Sequence, residues 1–166
     1  VVQAGAWTLG PTAGYQYLQL RLPDGRIFQD SILALADVAS RLTKVSGDNQ
    51  TAPVGSELPQ LLVVRVVDQY GNGVGGVTVQ WSTCDGAAGP AIASDANGYS
   101  STSQPTGTQP SGSEPFCTMA TAPGLQDSPV QFHYTVTGSS TGTSQLQASP
   151  PNLRHSGPPP NAPASH

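Results

Sequence analysis

The dominant period along this chain is two. Leu61-Leu62-Val63-Val64-Arg65-Val66-Val67-Asp68 is a β-branched run, Gln69-Tyr70-Gly71-Asn72-Gly73-Val74-Gly75-Gly76 turns the chain, and Val77-Thr78-Val79-Gln80-Trp81 follows. A further turn comes at Asp95-Ala96-Asn97-Gly98. Such runs, separated by Gly- and Asn-rich connections, predict the short antiparallel strands of a β-sandwich. Other strands are expected at residues 39–46, 91–93, 99–103, 116–122 and 130–136. In the last, Val130, Phe132, Tyr134 and Val136 share one face while Gln131, His133 and Thr135 share the other. The apolar set is expected to meet Trp81, Val64 and Val66 in a core. Residues 47–60, which contain Pro53 and Pro59, read as a long turn.

Residues 1–38 carry their own pattern. Ala6-Trp7-Thr8-Leu9-Gly10-Pro11-Thr12-Ala13-Gly14 leads into an alternating run from Tyr15 to Leu22, and Pro23-Asp24-Gly25-Arg26 is a hairpin turn before Ile27-Phe28. Tyr15 and Tyr17 share a face with Gln19, whereas Gln16, Leu18, Leu20 and Leu22 share the other. At the opposite end, residues 137–166 are dominated by Ser, Thr, Gly and Pro and include Pro158, Pro159 and Pro160. Such a composition cannot bury enough apolar surface to order itself.

The elements Val63 to Asp68, Gly71-Asn72, Val74 to Trp81 and Asp95-Ala96-Asn97-Gly98-Tyr99 resemble, in order, the bacterial immunoglobulin-like group 1 (Big-1) domain, the repeat of intimin- and invasin-type surface proteins. The resemblance covers about residues 39–136. It implies an extracytoplasmic sandwich used as a spacer or binding module, and it transfers no catalytic residue. Residues 1–38 then resemble the last three strands of another such domain. Strands without the remaining half expose an unpaired edge and an uncovered apolar face. Residues 106–115 depart from the family pattern as an inserted Gly/Pro/Ser/Gln loop, either a flexible excursion or a contact loop. Cys84 and Cys117 fall on strands that adjoin in this family, which implies a disulfide of about 3 to 4 kcal/mol in the chain-entropy picture. Two buried, unpaired thiols are the alternative.

The expected fold is therefore all-β. An immunoglobulin-like antiparallel sandwich at residues 39–136 is preceded by a partial sandwich-like segment at 1–38 and followed by an irregular Pro/Gly/Ser-rich tail at 137–166.

Composition narrows the partners. With 19 Gly, 16 Pro and 10% charged residues, the chain lacks the mixture that builds surface helices. A net charge of −4 with six scattered Lys and Arg gives no basic stripe to neutralise phosphates, so nucleic acid is not expected. No apolar run approaches the roughly 20 residues of a transmembrane helix. Membrane contact is expected only through partner proteins. The chain begins at Val1, as after removal of a signal peptide, or where proteolysis or a fragment boundary sets the start. Cysteine usage favours export to the periplasm or cell surface.

Candidate chemistry is sparse. His133, His155 and His166 are scattered and have no Cys, Asp or Glu at metal spacing, so neither a metal nor a catalytic site is expected. Asp68, Asn72, Asp85, Asp95 and Asn97 offer oxygen ligands, but turns demand the same residues, and Ser94-Asp95-Ala96-Asn97-Gly98 lacks the spacing of a calcium loop. No Gly-x-Ser-x-Gly elbow occurs, and no cofactor is expected. Asn49-Gln50-Thr51 reads as a chance glycosylation match. What remains is a set of interface candidates: Trp7, Tyr15, Tyr17 and Tyr70, with Pro158, Pro159 and Pro160 in the tail. Alternatively, Trp7 and Tyr17 fill a core of the N-terminal segment.

The expectation is a non-enzymatic, extracytoplasmic structural or interaction protein whose partners are other protein subunits. An accessory subunit of a larger envelope or membrane-associated complex is one form. A repeating fibre or adhesin unit, self-associating through its N-terminal strands by strand addition, is a second. A carbohydrate-binding module on the same sandwich is a third.

Overall fold

The computed structural model of the protein describes residues 8–138. Among these, every regular element is a strand: β1 Gly14–Arg21, β2 Ile27–Ala34, β3 Arg41–Ser46, β4 Gln50–Pro53, β5 Leu62–Val67, β6 Thr78–Thr83, β7 Ala88–Ala93, β8 Tyr99–Thr102, β9 Phe116–Thr121 and β10 Val130–Thr137. They form three sheets. β1 and β2 make a two-stranded hairpin, β3-β5-β8 a three-stranded sheet, and β4-β10-β9-β6-β7 a five-stranded one.

The two larger sheets enclose one core. From the three-stranded sheet come Leu42, Leu62, Val64 and Val66; from the five-stranded sheet come Val79, Trp81, Ala120, Phe132, Tyr134 and Val136. Alternation explains which residues enter. In β10, Val130, Phe132, Tyr134 and Val136 are buried while Gln131 and Thr135 are exposed and His133 is half-buried, as its period predicts. Trp81 and Phe132 meet with ring centroids 5.8 Å apart. Lys44 from β3 lies over the Phe132 ring, its ammonium 5.2 Å from the centroid.

Glycine is required where two turns cross. Gly98 has φ 86°, a left-handed conformation, and its carbonyl accepts the Val66 N–H at 2.7 Å. A Cβ there would run into the Val66 carbonyl oxygen, so only a residue without one permits this approach.

Three expectations need correction. Residues 47–60 are not one long turn, because Gln50–Pro53 forms β4, which runs parallel to β10 with Ala52 opposite Val136. The sandwich is therefore mixed and not purely antiparallel. Asn49, at φ 56°, turns the chain into this strand, and Pro53 is tolerated because β4 lies at a sheet edge. Second, β7 begins at Ala88, earlier than expected, and accommodates Pro90 at the other edge of the same sheet. Third, the N-terminal segment contributes two strands among the described residues. Its second strand extends through Ala34, well past Phe28, and Thr8 to Ala13 are irregular. Trp7 lies outside the described residues.

Candidate interaction surface

The β1–β2 hairpin is built from a turn that fixes its register. Leu22 N–H donates to the Arg26 carbonyl at 2.8 Å, Gly25 N–H to the Leu22 carbonyl at 3.0 Å, and Gly25 takes φ 85°. Pro23 and Asp24 supply the turn between them. From there the register runs without interruption from Arg21 opposite Ile27 to Gly14 opposite Ala34. Residues directly opposite share a face in an antiparallel pair. One face therefore carries Leu18, Leu20, Phe28 and Ile32, and the other carries Tyr15, Tyr17, Ile27 and Leu33.

All eight of these side chains are exposed, Tyr15 and Tyr17 at 66% each. Tyr17 is thus not a core residue. Among the described residues no strand pairs with the outer edge of β1 or of β2. A two-stranded ribbon is marginal in water on its own, and apolar side chains on both faces add a contiguous patch of the kind that marks an interaction site.

The base of the hairpin is fixed to the sandwich by a latch in the loop after β5. The Asp68 carboxylate is buried and accepts four N–H donors: Tyr70 and Asn72 backbone at 2.9 Å, the Asn72 side-chain amide at 2.8 Å, and Asp37 backbone at 2.9 Å. Asn72 in turn reaches the other leg of the hairpin. Its side-chain amide donates to the Pro11 carbonyl at 2.8 Å, and its oxygen accepts the Ala13 N–H at 2.9 Å. Both legs are thus held by one turn. Burial works to raise the Asp68 pKa, but the Asn72 side chain and the three backbone donors outweigh it and hold the carboxyl down to about 2. Sequence reasoning saw Asp68 and Asn72 as turn formers and missed this role. The available signal was two amide-binding side chains in one short loop, more than the turn itself requires.

The other loop acids serve their own turns. Asp95 Oδ1 accepts the N–H groups of Asn97 and Tyr99 at 2.9 Å each. The Thr83 hydroxyl and the Ala87 N–H bond Asp85 and lower its pKa, with burial opposing them. Among the described residues no group of His, Cys, Asp and Glu could hold a metal ion. His133 N–H donates to Asp48 at 2.8 Å, a structural contact, and His155 and His166 lie outside the described residues.

Cys84 and Cys117 are joined as a disulfide, with Cα atoms 5.3 Å apart, tying the end of β6 to β9. The bond fits an oxidising, extracytoplasmic setting. Beside it lies a cleft of about 500 Å³ lined by Pro105, Thr108, Pro115, Phe116 and Tyr134, so residues 106–115 form one of its walls. Phe116 and Tyr134 stack at 5.9 Å. The one carboxylate at its rim, Asp85, is already engaged by its turn.

Of the expected interface residues, Tyr15 and Tyr17 come together on the hairpin. Tyr70 is exposed in the latch loop, while Pro158, Pro159 and Pro160 lie outside the described residues. The class defined by this architecture is an all-β sandwich carrying an appended, exposed hairpin. No protein-family model matches the chain, and no curated protein matches it. Among the described residues no helix is long and apolar enough to cross a membrane.

Proposed function

We propose that this protein is a non-enzymatic, extracytoplasmic structural module that joins other proteins through its N-terminal hairpin. The observation that carries the reading is the hairpin itself: eight exposed apolar side chains on two strands whose outer edges meet no other described strand, held on the sandwich by the Asp68 and Asn72 latch. A latched element is pre-oriented, so docking on it avoids much of the ordering cost of a free segment. Strand addition, in which a sheet edge accepts a further strand, matches this geometry. A Big-1-like role as a spacer or adhesin unit agrees with it. An accessory subunit held on a larger envelope assembly would use the same surface. The cleft beside the disulfide offers an aromatic face, but of its polar lining Thr83 and Asp85 bond each other and the Thr106 hydroxyl is held by the Pro53 and Ser56 carbonyls, which gives a carbohydrate-binding role less support.

Hydrogen exchange on the dilute, monomeric 166-residue chain tests the reading. The amides of β1 and β2 should exchange quickly while those of β5, β6, β9 and β10 stay protected. Strong protection of the hairpin in the monomer would mean that it needs no partner, and the proposal fails.

A further inference from the structure

The outer edge of β1, which meets no other described strand, is self-complementary, and we infer that it pairs with β1 of a second copy in antiparallel register, with a two-fold axis at Leu18. This rests on the reading of the hairpin as a docking element and names its partner.

The register follows from the hydrogen-bond ladder. Leu22 bonds across to Arg26, and bonding alternates along an antiparallel strand, so the even-numbered residues of β1 face β2. Tyr15, Tyr17, Gln19 and Arg21 then present their N–H and C=O groups outward. These four positions are symmetric about Leu18. Pairing two copies there sets Tyr17 opposite Gln19 of the second copy and Tyr15 opposite its Arg21, and every outward group finds a partner. Arg21 is the one charged residue on this edge, and it meets an exposed aromatic ring, a favourable cation–π neighbour.

On the adjacent face, Leu18 meets Leu18 of the second copy and Gln16 meets its Leu20. The product is one four-stranded sheet, and an isologous contact of this kind closes on itself. It passes the minimum of three strands at which a sheet with an apolar face becomes stable.

Charge decides against the other edge. By the same alternation β2 presents Ile27, Gln29, Ser31 and Leu33 outward, and these are symmetric about Asp30. Full-length pairing of β2 with itself would set two Asp30 carboxylates directly opposite, which is destabilising. Natural edges are commonly protected by a charge, a proline or a bulge. β2 has such a charge in Asp30. Gly14 to Leu20 in β1 has none of the three, and its register is unbroken.

Sedimentation equilibrium of the full chain, from low micromolar to sub-millimolar concentration, tests this. The wild type should reach a dimer, Leu18→Lys should be monomeric, and Asp30→Asn should dimerise like the wild type. Leu18 is exposed, so its variants should keep the wild-type melting transition. Leu18→Lys mixed with Leu18→Glu should restore a dimer, because opposite charges then meet on the axis. A wild type that stays monomeric throughout overturns the inference, as does a dimer unaffected by Leu18→Lys or a mixture that does not reassociate. If the wild type is monomeric but its hairpin amides exchange quickly, only the self-pairing fails. If those amides are protected, the docking reading fails with it.

Discussion

Replacing Trp81 by Ala tests the core from its centre. The side chain is 1% exposed, lies between the two sheets and contacts Phe132. A buried indole removes about 200 Å² from water, which at about 25 cal/mol per Å² sets an upper figure near 5 kcal/mol. Aromatic-to-Ala truncations in cores cost about 3 to 5 kcal/mol, and the two agree. No new buried polar orphan is created, because the Ser100 hydroxyl, which accepts a long 3.4 Å bond from the indole, still donates to the Ile92 carbonyl at 3.2 Å. The expected loss is therefore the cavity and transfer cost alone. Urea unfolding of the full chain followed by circular dichroism measures it, with an unchanged slope showing that stability alone has altered. In a sandwich of about 100 residues the melting temperature should fall by at least about 12 °C. Trp81→Phe should lose less, since a phenyl ring keeps the contact with Phe132. A loss for Trp81→Ala below about 1 kcal/mol, the range of exposed substitutions, would refute the assignment of Trp81 to the core and with it the register of β6.

Two further outcomes are expected. Acid should weaken the protein partly through Asp68: its unfolded carboxyl titrates near 3.8 and its folded one at about 2, so the folded chain holds fewer protons, and its contribution is complete above the higher value and lost as pH falls through the lower. Asp68→Asn should be less stable at neutral pH and show a shallower acid dependence, and an unchanged acid profile in urea titrations would contradict the latch. Intact mass after alkylation without reductant should show no free thiol, and reduction should lower stability by about 3 to 4 kcal/mol. Two alkylated cysteines in unreduced protein would contradict the Cys84 to Cys117 bond.

Local pattern alone determined much of this fold. The β-branched runs that became β5 and β6, and the alternation of Val130, Phe132, Tyr134 and Val136 in β10, announce strands and an inward face, because successive side chains point to opposite sides of a strand wherever it lies. Turn chemistry was equally legible, since Pro23-Asp24-Gly25 needs no distant contact to form. Pairing and cover were decided only in three dimensions. β4 has a single small apolar residue facing inward, Ala52, and becomes a strand because β10 brings a free edge alongside it. Period two shows that Leu18 and Leu20 share a face, but not whether a sheet comes to cover it. The latch is hidden for the same reason. Asp68 and Asn72 satisfy the rules of a turn locally, and only the return of the hairpin legs at Ala13 and Asp37 gives their remaining hydrogen-bonding capacity its partners.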